Sequence, residues 1–74
     1  MKDKISKIEA IAIEIDGQVR ADYSGRGMFG KTCYGITCDD ANGCLEVAGS
    51  YGIKGGRVDN MGRNWIVYWP SITN

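Results

Sequence analysis

If the run Trp65-Ile66-Val67-Tyr68-Trp69 is extended, no polar face is left, since Trp65, Val67 and Trp69 share one side and Ile66 and Tyr68 the other. Such a strand either lies inside a sheet covered on both faces or leaves an aromatic face in solvent. The chain has 74 residues, enough for one domain near the lower size at which a single core is self-sufficient. The rest of the sequence must therefore supply the sheet and its cover. Pro70 is expected to end the strand, because it cannot donate to the ladder.

Upstream, Ile11, Ile13 and Ile15 alternate with Ala12, Glu14 and Asp16, and Asp16-Gly17 is a turn signal, so a first hairpin is expected. A three-residue loop, Ile15-Asp16-Gly17, pairs Ile13 with Val19 and Ile11 with Ala21 and separates the faces better than a two-residue loop. A glycine-rich loop with Gly25, Gly27 and Gly30 follows, and then a central strand over residues 33–38. Asp39 or Asp40 caps a short helix in which Ala41, Cys44, Leu45 and Ala48 follow helical spacing. The segment after the Gly55-Gly56 pair reads as two strands around a turn near residues 60–63. The expected fold class is α+β, in the order β-β-loop-β-α-β-β. It is a mostly antiparallel sheet of four to five strands with one helix on one face.

The stretch GRGMFGKT, residues 25–32, matches the spelling of a phosphate-binding P-loop. Both flanks disagree with that reading. A P-loop leaves a buried parallel strand and enters a helix whose amides hold the phosphates. Here residues 18–24 alternate polar and apolar, and residues 33–38 favour a strand. Parallel crossovers also take about 30 residues each, which leaves too little chain for a nucleotide-binding sheet.

Nine basic residues balance nine acidic ones, so no whole-chain field draws the molecule to nucleic acid or anionic lipid. Arg20, Arg26, Lys31, Lys54, Arg57 and Arg63 nevertheless flank an acidic stretch of Asp39, Asp40 and Glu46, which makes the chain bipolar. There is no histidine for acid–base work near neutral pH, and Cys33 as a nucleophile would lack a base. Cys33, Cys38 and Cys44 are spaced too widely for a structural zinc site and read as small buried hydrophobes. Neither a catalytic residue, a metal nor a cofactor is expected. The charged N-terminus and odd cysteine count suggest a reduced, cytoplasmic protein without a signal peptide or membrane span.

Two stretches, YSGRGMFGKTC at residues 23–33 and DNMGRNWIVYWP at residues 59–70, resemble a pattern in short phage and mobile-element proteins. The shared features are a Gly-Arg-Gly-Met loop before a Thr-Cys pair, and a Met-Gly turn before a strand closing on Tyr-Trp-Pro. The resemblance carries no biochemical activity. It implies mobile-element origin and the host cytoplasm, where small proteins of this class, anti-CRISPR and other anti-defence inhibitors among them, occupy a host protein's surface.

The expectation is thus a non-catalytic protein-binding module, monomeric or homodimeric, with weak or no direct affinity for nucleic acid. Its partner would be a host protein, nucleic-acid-processing complexes included. Met28, Phe29 and Met61 supply apolar contacts, while Arg26, Lys31, Arg57 and Arg63 supply charge, in the Met, aromatic and Arg mixture that interface cores favour. If the glycine-rich loop and the terminal turn meet at one end of the sheet, these residues form one surface. Trp65 and Trp69 are read as core. The alternative is nucleic-acid or phosphate binding through GRGMFGKT.

Overall fold

The computed structural model describes residues 2–25 and 27–73. Its elements are α1 (Lys2–Glu14), β1 (Gln18–Tyr23), β2 (Cys33–Cys38), α2 (Ala41–Ser50), β3 (Arg57–Asn60) and β4 (Trp65–Thr73). The fold is α+β, and the strands form a four-stranded antiparallel sheet in the order β1-β2-β4-β3.

The expected first strand is the end of α1 instead, so the described residues contain two helices and four strands. The alternation of Ile11, Ile13 and Ile15 hides a helical period. Ile8, Ile11 and Ala12 are buried and Ile15 packs beside them, whereas Ile13 is 82% exposed. Residues 2–14 lack Gly and Pro, and the Lys, Glu and Ala among them favour helix over strand.

The Asp16-Gly17 signal is real but serves another purpose. The Gly17 N–H donates to the Ala12 carbonyl at 2.8 Å and the Asp16 N–H to that of Ile13 at 3.3 Å. Asp16 has φ 57°. This is a Schellman termination with Asp in the left-handed position. The turn ends a helix rather than joining two strands.

The strand over residues 33–38 is interior, as expected, and Asp40 caps α2 by accepting from the Gly43 N–H at 3.1 Å. β4 lies between β2 and β3, which answers the demand of its two apolar faces. One face is covered by helix: α1 lies against β1 and β2, and α2 against β4. Their shared core contains Ile8, Ile11, Ile36, Cys44, Ala48, Val67, Trp69 and Ile72. The Trp69 indole N–H is buried there against Gly56, without a hydrogen-bond partner among the described residues.

Pro70 does not end β4. Tyr34 pairs with Trp69 but Cys33 with Thr73, so β4 carries extra residues in a bulge. Pro70 sits in that irregularity, where no ladder hydrogen bond is required, and Ile72 re-enters the core.

Candidate functional site

No helix among the described residues packs on the second face of the sheet. That face is covered by the glycine-rich loop, residues 24–32, which joins β1 to β2 and folds Met28 down onto Cys33, Ile66 and Tyr68. Short turns hold the loop, with the Met28 N–H donating to the Gly25 carbonyl at 3.2 Å and the Lys31 N–H to that of Met28 at 3.1 Å. The Met28 thioether accepts from the Gly25 N–H at 3.2 Å and from the Cys33 thiol at 3.7 Å. The Tyr68 ring packs directly on Gly25, leaving no room for a Cβ. The loop is therefore anchored from below at both Gly25 and Met28.

That anchoring decides what faces outward. Met28 is 7% exposed, while its neighbour Phe29 is 96% exposed and has φ 53°. Left-handed backbone is uncommon for a bulky residue and is a form of local strain found where structure serves function. Beside the ring lies a cleft of about 220 Å³ lined by Gly27, Met28, Phe29, Lys31 and Pro70. Lys31 is exposed at this cleft. It is followed by a strand rather than a helix N-terminus, so the strand–loop–helix setting of a P-loop is absent from residues 25–32.

Behind the loop, a β1 irregularity between Arg20 and Tyr23 turns Tyr23 toward the same face as Cys33. Its ring meets that of Tyr68 at 4.9 Å between centroids, tilted by 53°. Its hydroxyl donates to the Asp59 carboxylate of β3 at 2.5 Å. β1 and β3 are the two outer strands, so this hydrogen bond ties the sheet edges across the second face. Burial and the Asp59 hydrogen bond push the Tyr23 hydroxyl up to about 12.

Comparison with family models, with curated proteins and with solved structures returns no match.

Strand register separates the expected contact residues. The loop lies where β1 ends and β2 begins, near Trp69 and Thr73 of β4. The turn between β3 and β4, with Met61 and Arg63, follows Asn60 and precedes Trp65, which pairs with Cys38 at the other end of β2. The loop and the terminal turn thus stand at opposite ends of the sheet, and the single surface expected from them is divided. Met28, Phe29 and Lys31 come together, although Met28 acts as an anchor rather than a contact. Met61 and Arg63 lie at the far end, both exposed. Arg57 is on the outer strand β3, opposite Tyr68. Arg26 lies outside the described residues.

The far end has a second cleft of about 330 Å³, lined by Asp39, Asp40, Ala41, Asn42, Val58 and Trp65. Trp65, expected to be core, is 40% exposed there. Sequence reasoning missed this cleft because its parts come from β3, β4 and the start of α2, and no local pattern joins them.

The cysteines are free and buried. Burial raises all three thiols, with Cys44 reaching about 12 beside Cys38. They are protonated at neutral pH and poor nucleophiles. Among the described residues, no group of three or more Cys, Asp or Glu side chains is placed to hold a metal ion, and no helix is long and apolar enough to cross a membrane.

Proposed function

We propose that this protein is a non-catalytic binding module that engages another protein through the tip of the glycine-rich loop. The observation that carries this reading is Phe29, held 96% exposed in a left-handed conformation on a loop whose other large apolar residue is buried. Burying such a ring in a partner's pocket contributes about 1.5–3 kcal/mol. A loop already anchored by Met28 loses little further conformational entropy on binding. Phe29 is the central contact, and Lys31 supplies a charged rim for a carboxylate or carbonyl on the partner.

The finer reading is that the partner is a host protein whose surface is occluded, in the cytoplasm of a cell carrying a phage or other mobile element. It draws on the resemblance of residues 23–33 and 59–70 to short proteins of that origin. Anti-defence inhibition, including inhibition of a CRISPR complex, is proposed from the small size and balanced charge that the chain shares with inhibitors of that class, not from the resemblance itself.

Phe29→Gly tests the reading. Glycine accepts the left-handed backbone, so the melting temperature should hold or rise slightly. Capture of the partner by the immobilised protein from a host lysate should fall at least tenfold. An unchanged set and amount of captured proteins would remove Phe29 from the contact. If Lys31→Ala abolished binding to single-stranded oligonucleotide at low salt while Phe29→Gly left protein capture intact, the loop would be a phosphate-binding element.

A further inference from the structure

The sheet's helix-covered face is not covered to its edge. α1 packs on β1 and β2 and α2 packs on β4, while among the described residues neither helix makes more than slight contact with the outer strand β3. Val58 of β3, opposite Val67, and Trp65 of β4, opposite Asn60, lie on this face and are partly exposed. Ala41 and the carboxylates of Asp39 and Asp40, at the start of α2, close the other side. The volume of about 330 Å³ falls within the range of small-ligand sites, about 300–1,000 Å³.

Among the described residues no cation lines the cleft, and the ion pair between Arg20 and Asp22, formed on β1, is the only one. The two carboxylates therefore face the cleft without a cationic partner. The partial positive charge at the α2 N-terminus, about half an elementary charge, is outweighed by two carboxylates, one of which already caps it.

From the charge and the aromatic floor we infer that this cleft docks an arginine-bearing segment of a protein partner. The guanidinium would lie on the exposed part of the Trp65 ring, with its planar donors toward Asp39 and Asp40 and its methylene stem along Val58. Arginine suits the site better than lysine, because it is more weakly hydrated and can use ring and carboxylates together. This surface lies at the opposite end of the sheet from Phe29, so it stands whether or not the loop is a contact.

Trp69 is fully buried, so changes in tryptophan emission on adding a ligand report mainly on Trp65. Blocked glycine-X-glycine tripeptides, with X arginine, lysine or glutamate, are titrated into the full chain. Arginine should give a saturable change, lysine a weaker one and glutamate none, and added salt should weaken the response. Asp39→Asn with Asp40→Asn should weaken arginine binding at least tenfold, Asn at position 40 remaining a good helix cap. Val58→Lys, which leaves the cap untouched, should abolish binding with an unchanged far-ultraviolet spectrum. No saturable response to arginine up to about 10 mM, an equal response to glutamate, or full binding by both variants would overturn the inference. So would a protein-concentration-dependent emission shift without peptide, with a dimer mass in ultracentrifugation, which would assign the cleft to a second copy.

Discussion

Two adjacent residues carry opposite constraints at the end of α1. Asp16 has φ 57°, a conformation costing about 1–2 kcal/mol for an ordinary L-residue and less for Asp, which tolerates it. Gly17 has no such backbone, but a Cβ there would stand 2.6 Å from the Thr37 carbonyl oxygen and 2.7 Å from Ile36 Cγ2. Asp16→Gly should raise stability by about 0.5–1 kcal/mol, the relieved strain being partly offset by the entropy glycine adds to the unfolded chain. Gly17→Ala should lower it by about 1–3 kcal/mol, since it forces α1 away from β2. Urea unfolding of the two variants checks both signs. Equal shifts in the same direction would mean that the chain leaves α1 by another path.

Among the connections, the glycine-rich loop performs the task that a further helix would otherwise perform. Its Met28 seals Cys33, Ile66 and Tyr68 from water, and Gly25 lets the Tyr68 ring close underneath. Met28→Ala should therefore cost about 2–5 kcal/mol, the range for large-to-small changes in a core. That is a large part of the stability of a domain this small. A companion measurement separates anchor from contact, because Phe29→Gly should leave the same unfolding midpoint nearly unchanged. If Met28→Ala were as mild as Phe29→Gly, the loop would be a passive connection and the second face would be sealed by the Tyr23 and Tyr68 rings alone.

Across the whole molecule, the hydrogen bond from Tyr23 to Asp59 ties the two outer strands over that face. The Tyr23 hydroxyl, at about 12 in the folded chain against 10.0 ordinarily, keeps its proton on folding over a range where the unfolded chain loses it. Its contribution is therefore fully present below pH 10 and is lost as pH rises toward 12. Tyr51, raised in the same direction by burial and Glu14, adds a similar dependence that is common to parent and variant. Tyr23→Phe should consequently be less stable than the parent at pH 8, with the gap narrowing between pH 10 and 12. Thermal melts across that interval check this, and a gap that stayed constant would show that the Tyr23 proton is not linked to folding.

The amino-acid pattern by itself determined the interior strand at residues 33–38, a short helix capped by Asp39 or Asp40, and the final pair of strands. In each case period, cap and turn signals agree within a few residues of one another. The pattern at residues 11–16 supported two periods, and only packing chose between them: Ile8, Ile11 and Ala12 share a helical stripe that the uncovered side of β1 and β2 can bury. The loop's composition marked it as irregular but left open which of Met28 and Phe29 would turn inward, because that depends on Tyr68, about forty residues away. Likewise the charges around Arg63 and Asp39 were visible, but their positions relative to Phe29 follow from strand order and register. Those are set by non-local pairing of β2, β3 and β4, which no short stretch of the chain encodes.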